Sequence, residues 1–262
     1  MSILRLTFLG TGTSQGVPLI GCACEVCVSG DPRDKRTRSS VFLEAGATQW
    51  VIDTGTDFRA QCLRHGVSRL DAVLYTHAHT DHILGFDDLR PFCAGGRSMP
   101  LYGSAETLEQ LSRVFAFAFE PELRFPTYVN PDPRVVSGSF DLAGLQVTPL
   151  PLPHGRTTCF GYLFESAGRP LLAYLTDCKR VPEEVEERIR GVRHLVVDAL
   201  RKREHPTHMS IAEALEVVER VRPGRTWFTH LCHDHLHADL EEELPVGVRV
   251  AFDGLVLEIP LD

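Results

Sequence analysis

The stretch Ala72-Val73-Leu74-Tyr75-Thr76-His77-Ala78-His79-Thr80-Asp81-His82 places three imidazoles and a carboxylate directly after an apolar run. The pattern predicts a strand that ends in a loop of metal ligands. His77 and His79 are two positions apart, so in extended backbone their side chains point the same way. Asp81 and His82 follow where the chain turns, and they can face a second, adjacent point. Imidazole and carboxylate are typical ligands of zinc, iron or manganese, so one metal could use the first pair and another the second.

Three further residues of ligand type follow apolar runs later in the sequence. They are His154, Asp177 and His230, and each stands at the end of a predicted strand. A group of histidines on a solvated loop would not need such partners. We therefore expect distant parts of the chain to converge on one metal site.

This complete set, in this order, resembles the metallo-β-lactamase superfamily, whose His-x-His-x-Asp-His signature follows a strand. The resemblance implies an α/β fold, a four-layer αβ/βα sandwich, with a dinuclear metal site between its two sheets. It implies a first ion at His77, His79 and His154, a second ion at Asp81, His82 and His230, and a bridge at Asp177.

The N-terminal segment contains a glycine-rich stretch, 10–18, followed by Cys22-Ala23-Cys24-Glu25-Val26-Cys27. It resembles the PhnP-type phosphodiesterases, which act in phosphonate catabolism and open cyclic phosphodiesters. That group holds a structural zinc with a Cys-x-Cys-x-x-Cys motif and a histidine three residues past the last catalytic histidine. The implied ligands here are Cys22, Cys24, Cys27 and His233, a closed tetrahedral zinc set. His235 and His237 are also near, and only the family spacing favours His233.

Length and composition indicate an ordinary globular protein. The chain has 262 residues, with 43% hydrophobic and 24% charged residues. Ligands between His77 and His230 must converge, which favours a single hydrolase domain over 1–262 with a structural zinc loop near 21–28. The N-terminus predicts a strand rather than a signal peptide, and no stretch is apolar enough for a membrane helix. The eight cysteines are too scattered for an extracellular disulfide framework, so we expect a cytoplasmic protein.

The charge balance bears on possible partners. A net charge of −8 argues against binding duplex nucleic acid, which requires many lysines and arginines. It permits a small phosphodiester substrate, because bound cations reverse the local field at the site. The resemblance also implies a homodimer.

The activity that the resemblance implies is hydrolysis of small, cyclic phosphodiesters by a hydroxide that two metal ions activate. The catalytic ions are expected to be manganese or zinc, with iron as an alternative, beside one structural zinc. His208 is assigned as a non-ligand catalytic histidine, either a general acid or a phosphate contact, and His205 is the alternative. Asp81 is catalytic through its metal. Asp53 either orients a ligand imidazole or is a simple strand-end turn residue.

Two other functions are compatible with parts of the sequence. A tRNase Z-like ribonuclease would share all seven metal ligands, but it usually carries a protruding basic arm that is not found here. A PqqB-like, non-hydrolytic protein of cofactor biosynthesis would share the Cys-x-Cys-x-x-Cys segment, but its core metal motif departs from the hydrolytic pattern. The complete ligand set favours a hydrolase.

Overall fold

Two β-sheets face each other in the computed structural model, which describes residues 2–262. The strands are β1 (Ile3–Gly10), β2 (Ser40–Ala45), β3 (Thr48–Ile52), β4 (Ala72–Leu74), β5 (Met99–Gly103), β6 (Pro131–Val135), β7 (Phe140–Leu142), β8 (Leu145–His154), β9 (Thr157–Ser166), β10 (Arg169–Leu175), β11 (His194–Asp198), β12 (Arg225–Thr229), β13 (Val248–Val250) and β14 (Val256–Pro260). Within residues 2–262, each sheet has seven strands, in the orders β14-β1-β2-β3-β4-β5-β6 and β13-β12-β11-β10-β9-β8-β7.

Helices pack on the outer faces of both sheets or lie within the loops that join the strands. They are α1 (Glu25–Val28), α2 (Phe58–His65), α3 (Thr80–Ile83), α4 (Ala105–Val114), α5 (Ala116–Phe119), α6 (Glu183–Ile189), α7 (Ile211–Val221) and α8 (His237–Glu243), with 3₁₀ segments at Pro32–Asp34 and Phe86–Gly96. None of the helices within residues 2–262 combines the length and the apolar character that crossing a membrane requires.

Three apolar clusters hold these layers together. One lies between the sheets, where Leu43 and Trp50 of the first sheet belong to the same cluster as Phe164 and Leu172 of the second. A second packs α2 and α4 onto the first sheet, and a third packs α6 and α7 onto the second. Helix, sheet, sheet and helix therefore form four layers, and the predicted α/β sandwich is confirmed.

Parallel strands in both sheets bring their carboxyl ends to one edge of the sandwich. In the first sheet β3, β4 and β5 are parallel, and in the second β10, β11, β12 and β13 are parallel. Two hydrogen bonds join the sheets there. Tyr162 Oη donates to the carbonyl of Tyr75 at 2.7 Å, and the amide of Phe160 donates to the carbonyl of Thr76 at 2.8 Å. The loops after these strands are therefore held against each other, as is usual for ligand sites in such sheets.

Local sequence signals account for two helix ends. Ser210 and Glu213 form a capping box at the start of α7, and Gly66 ends α2 with φ +67°. The prolines of segment 121–133 are typical of an irregular connection, but its last residues enter β6, which pairs in parallel with β5. Pro131 and Pro133 are tolerated because β6 lies at the edge of its sheet.

Candidate functional site

Three imidazoles from two strand ends form the first half of the site. His77 and His79 come from the loop after β4, and His154 ends β8. The Nδ1 atom of His79 lies 2.9 Å from His77 Nε2 and 3.2 Å from His154 Nε2. His77 and His154 are buried, whereas His79 is exposed, so this half of the site opens towards solvent.

Two carboxylates and two imidazoles form the second half. Asp81 and His82 lie in α3, Asp177 follows β10, and His230 follows β12. His82 Nε2 lies 3.2 Å from Asp81 Oδ2 and 3.2 Å from Asp177 Oδ2. We call these seven residues the histidine–aspartate cluster, and its members are His77, His79, Asp81, His82, His154, Asp177 and His230.

The Asp177 carboxylate lies at the centre of this cluster. Its Oδ2 atom is 3.2 Å from His82 Nε2 and 3.3 Å from His230 Nε2 in the second half. The same oxygen is 3.8 Å from His77 Nε2 and 3.9 Å from His154 Nε2 in the first half. One oxygen atom thus faces imidazoles of both halves.

Hydrogen bonds on the far side of the rings fix their orientation. Asp53 Oδ2 accepts a hydrogen bond from His82 Nδ1 at 2.7 Å. The carbonyl of Thr207 accepts a hydrogen bond from His154 Nδ1 at 2.9 Å. With the proton on Nδ1, each ring presents the Nε2 lone pair to the cluster. Asp53 also accepts hydrogen bonds from the amide and the hydroxyl of Thr76, each at 2.8 Å. It therefore orients site residues rather than serving only as a turn residue at the end of a strand.

The cluster fits metal ions better than it fits a self-contained hydrogen-bond network. The buried His82 Nε2 and both ring nitrogens of His230 make no hydrogen bond, although carboxylate oxygens lie close to the two Nε2 atoms. Ligand atoms about 2.1 Å from a tetrahedral ion are separated by roughly 3.4 Å, close to the spacing seen here. Convergent nitrogen and oxygen atoms of this kind suit divalent metals.

Electrostatics favours the metal-binding form of three of the donors, His77, His154 and Asp177. Burial lowers the pKa of His77 and of His154, so both imidazoles favour the neutral form. Burial alone would raise the pKa of Asp177, but the neighbouring His230 and His82 outweigh it and hold the pKa well below its usual range. Asp177 is therefore ionised.

Backbone conformation is unusual at three residues of the site. Asp53, Asp177 and His230 have φ values of +63°, +50° and +59°, a region that residues other than glycine rarely adopt. Each directly follows its strand or lies one residue further on, and the positive φ turns its side chain into the site. Such conformations persist where the surrounding structure enforces them.

His208 lies against the cluster, and His205 lies further out. The His208 ring is stacked on His230 at 4.7 Å and meets His154 edge-on at 4.7 Å. Its Nδ1 is 2.8 Å from Asp198 Oδ2, at the end of β11. Burial disfavours its charged form, but the negative charge of Asp198 and this hydrogen bond outweigh burial and raise the pKa of His208 to about 9. The His205 ring is 5.1 Å from that of His208 and only partly buried.

The second group of ligand-type residues consists of Cys22, Cys24 and His233, which lie on loops, and Cys27, which lies in the short helix α1. His233 Nδ1 is 3.5 Å from Cys22 Sγ, 3.3 Å from Cys24 Sγ and 3.5 Å from Cys27 Sγ. We call these four residues the cysteine cluster. A tetrahedral zinc with sulfur ligands at about 2.3 Å and a nitrogen ligand at about 2.1 Å would set this spacing at roughly 3.6 Å. The amide of Cys27 and the His233 ring lower the pKa of Cys24 to about 6, which favours its thiolate.

The two other histidines of this segment have different partners. His235 Nε2 accepts a hydrogen bond from the backbone amide of Lys202 at 3.3 Å. The Nδ1 atom of the buried His237 lies 3.2 Å from Arg36 Nη2. The structure therefore brings His233 alone of the three to the sulfur atoms of the cysteine cluster.

Apart from the alternatives His205, His235 and His237, every candidate residue predicted from the sequence lies in one of the two clusters or beside the first. Asp198 was missed. Its signal is the one shared by Asp53 and Asp177, an aspartate at the end of a buried strand or just past it, but no metal motif surrounds it.

Comparison with known proteins places the chain in a family. The model of the beta-lactamase superfamily domain matches residues 48–231. An octanoyltransferase of Porphyromonas gingivalis is 36% identical across 96% of this chain, but the chain spans only 51% of that protein. Coenzyme PQQ synthesis protein B of Methylorubrum populi is 29% identical, with 74% of this chain and 72% of that protein covered.

Solved structures extend the comparison to the whole chain. A crystal structure described as a new diphosphatase from the PhnP family is 40% identical, with a TM-score of 0.90 and 98% of both chains covered. Zinc-bound PqqB from Methylobacterium extorquens, 24% identical with a TM-score of 0.78, shares the fold over 97% of this chain and 99% of that chain. Because the domain model covers more than half of the chain and the 40% identical structure covers nearly all of it, this chain belongs to the metallo-β-lactamase superfamily and, within it, to the PhnP type.

Proposed function

We propose that the protein is a hydrolase with two metal ions in the histidine–aspartate cluster, and that it cleaves small phosphodiesters, cyclic ones included. The observation that carries the proposal is the position of Asp177 Oδ2, within 3.9 Å of imidazole nitrogens from both halves of the cluster. A carboxylate in this position can bridge two ions. The PhnP-type family and its diphosphatase support a metal-dependent hydrolase.

The proposed ligands divide as the cluster does. His77, His79 and His154 would hold one ion, Asp81, His82 and His230 the other, and Asp177 both. Two bound divalent ions, manganese or zinc with iron as an alternative, would supply Lewis acidity that activates a water and neutralises charge on the phosphate. The exposed side at His79 leaves room for a substrate to approach.

His208 is proposed to act on the leaving group or to contact the phosphate. Asp198 binds its Nδ1, so the other ring nitrogen is directed away from Asp198. One nitrogen of His208 lies within 4.8 Å of the ligand atoms of His154 and Asp177, where a bound phosphate would be. The Asp198 carboxylate and its hydrogen bond raise the pKa of His208, which favours the protonated ring that can donate a proton to a departing alkoxide.

A diphosphate is the second candidate substrate class, because the 40% identical relative is described as a diphosphatase. A phosphodiester and a diphosphate both present a phosphorus with two substituents, and the same residues would bind and orient either. Ribonuclease Z and PqqB-like functions are weaker proposals. The net charge of −8 disfavours a tRNA substrate. The complete histidine–aspartate cluster disfavours a non-hydrolytic, PqqB-like function.

The cysteine cluster is proposed to hold a structural zinc, and the homodimer and the cytoplasmic location remain predictions. In residues 2–262 all eight cysteines are free, which is compatible with a reducing compartment.

The test is metal-dependent turnover. Protein stripped by a chelator and reloaded with manganese, zinc or iron should hydrolyse bis(p-nitrophenyl) phosphate, with little activity on p-nitrophenyl phosphate. A cyclic nucleotide and a nucleoside diphosphate, assayed in parallel, decide between the two substrate classes. If none of the reloaded proteins cleaves any of these compounds, the proposed function is wrong.

A further inference from the structure

Three buried polar atoms beside the proposed metal ligand His230 lack a hydrogen-bond partner. They are His230 Nδ1, Asp198 Oδ1 and Thr229 Oγ1, and none of the described residues 2–262 supplies a partner to any of them. Buried polar groups in proteins are almost always hydrogen-bonded, because an unpaired group carries the full cost of its desolvation. The proposed mechanism uses none of these three atoms. Together they indicate a common partner.

The fold places the three residues side by side. Asp198 ends β11 and Thr229 ends β12, and the two are partners in the parallel ladder, so their side chains share one face of the sheet. His230 is the next residue, and one of its ring nitrogens lies within 4.8 Å of an oxygen of Asp198. No ion pair of 4.0 Å or less joins these two residues in the described part of the chain. Two hydrogen bonds of about 2.8 Å that meet at one water oxygen span roughly 4.5 Å, which fits this separation.

The three atoms also complement each other as donors and acceptors. His230 Nε2 lies 3.3 Å from Asp177 Oδ2 and faces the cluster, so a neutral ring that offers this nitrogen to a metal carries its proton on Nδ1. Nδ1 is then a donor, Asp198 Oδ1 is an acceptor, and the Thr229 hydroxyl can be either. A buried water typically makes about three hydrogen bonds to groups of this kind. It would accept from Nδ1, donate to Oδ1 and bond the hydroxyl with its remaining capacity.

Other imidazoles of the cluster have such a partner on the nitrogen that faces away from it. His82 Nδ1 is bound by Asp53, and His154 Nδ1 is bound by the carbonyl of Thr207. A bond of this kind fixes the ring and strengthens its attachment to a metal. For His230, a water is the partner that the surrounding atoms can accommodate.

Asp198 is already held in place through its other oxygen. Its Oδ2 atom accepts hydrogen bonds from His208 Nδ1 at 2.8 Å and from the backbone amide of Cys178 at 3.0 Å. The orientation of Oδ1 is therefore fixed by the fold before any metal binds. One carboxylate thus serves His208 with one oxygen and has the second available for the side of His230.

We propose that Thr229 and Asp198 hold a buried water that fixes the ring of His230, and that both are positioning residues for the metal ion that His230 binds. The inference rests on the proposed function only in taking His230 as a metal ligand. It gives a role to the Thr229 hydroxyl, which belongs to neither cluster and contacts no substrate.

The test measures metal binding, so it does not require turnover. Manganese affinity is measured by competition with a chelator, because thiolates of the cysteine cluster prefer softer ions such as zinc. Thr229→Val keeps the shape of the side chain but removes the hydroxyl, and it should weaken manganese binding by about tenfold. Thr229→Ser restores the hydroxyl and should stay within about twofold of the wild type.

The matched control is Thr226→Val. Thr226 lies on the same strand, and its hydroxyl is also buried and unpaired within residues 2–262. It stands three positions away, so its side chain points to the opposite face of the sheet, and its removal should leave manganese affinity unchanged. Unchanged affinity in Thr229→Val would overturn the inference. An equal loss in both valine variants would also overturn it, because that result would reflect only the packing of β12.

A crystal structure of the manganese-loaded protein is the second measurement. It should show one water within about 3 Å of His230 Nδ1, Asp198 Oδ1 and Thr229 Oγ1. A direct bond between His230 and Asp198, with no water between them, would overturn the inference. Failure of the proposed function is distinguishable from these results. In that case Thr229→Val would still lose manganese affinity, while the wild type would cleave neither phosphodiesters nor diphosphates.

Discussion

The two groups of ligand-type residues are built in opposite ways. The histidine–aspartate cluster lies at the carboxyl ends of strands from two packed sheets, and six of its seven members are buried. The cysteine cluster combines three loop residues with Cys27 of the short helix α1, and three of its four members are only partly buried. Its apolar surroundings consist of a few residues such as Val17, Val26 and Leu236, whereas large apolar clusters support the strands.

The two clusters also differ in the hydrogen bonds that orient their side chains from outside the cluster. His82, His154 and His77 are each held by a further hydrogen bond, to Asp53, Thr207 and Thr76. His233 and the three sulfurs face mainly one another. The fold therefore preorganises the first group, whereas a metal in the second group would organise its own loops. This difference predicts that changes in the first group affect turnover and that changes in the second affect stability.

The largest effect on turnover is expected from Asp81→Ala, which removes a proposed ligand from the histidine–aspartate cluster. Hydrolysis of an aryl phosphodiester should fall by about a thousandfold or more, because one proposed metal loses its carboxylate. The melting temperature should change little, since the strands around the site keep their packing. Asp87→Ala is the matched control, because Asp87 is exposed and pairs only with Arg90. Near-normal turnover in Asp81→Ala would disprove the assignment of two ions.

A smaller and selective effect is expected from His208→Gln. A proton donor matters most when the leaving group is a poor one, so hydrolysis of an alkyl phosphodiester should fall by about a hundredfold. Hydrolysis of a p-nitrophenyl ester should fall only a few-fold, because nitrophenolate leaves without a proton. Equal losses on both substrates would favour a phosphate contact over a general acid. His205→Gln is the control, and an effect as large as that of His208→Gln would reverse the assignment.

A weaker effect again is expected from Asp53→Asn, which leaves all seven proposed ligands in place. The asparagine side chain has only one acceptor oxygen, so it cannot accept all three hydrogen bonds from the Thr76 backbone amide, the Thr76 hydroxyl and His82. The His82 ring therefore loses its fixed orientation. Metal affinity, measured by competition with a chelator, should fall by roughly tenfold to a hundredfold. Asp253→Asn is the control, because the Asp253 carboxylate is also buried but hydrogen-bonds Thr11 and Thr37, away from the cluster. If both variants lose metal affinity equally, Asp53 has no special role.

The sequence predicts the site well where local patterns and strand ends coincide. His77 and His79 share one face of an extended segment, and Asp177 and His230 end apolar runs, so convergence follows from the layered fold. Asp198 could not be predicted in this way, because its role depends on the distance to His208 across a loop.

The fold was less predictable at its edges. The strand β6 contains Pro131 and Pro133, which argue against a strand in any central position but are allowed at an edge. The helix α8 begins at His237, and the sequence alone left His237 open as a possible zinc ligand. In both places tertiary contacts decide the conformation, and a single sequence does not reveal those contacts.

The effect on turnover should be smallest for Cys24→Ser, where the comparison of the two clusters predicts a loss of stability instead. Serine is a poor zinc ligand, so the variant should lose about one zinc per chain and its melting temperature should fall by roughly 5 °C or more. The folded fraction should keep nearly normal turnover per molecule, because the histidine–aspartate cluster is supported independently. Cys62→Ser, a buried cysteine of α2 outside the cluster, should keep its zinc. An inactive Cys24→Ser protein with an unchanged melting temperature would contradict the structural role, and would mean that the two clusters act together.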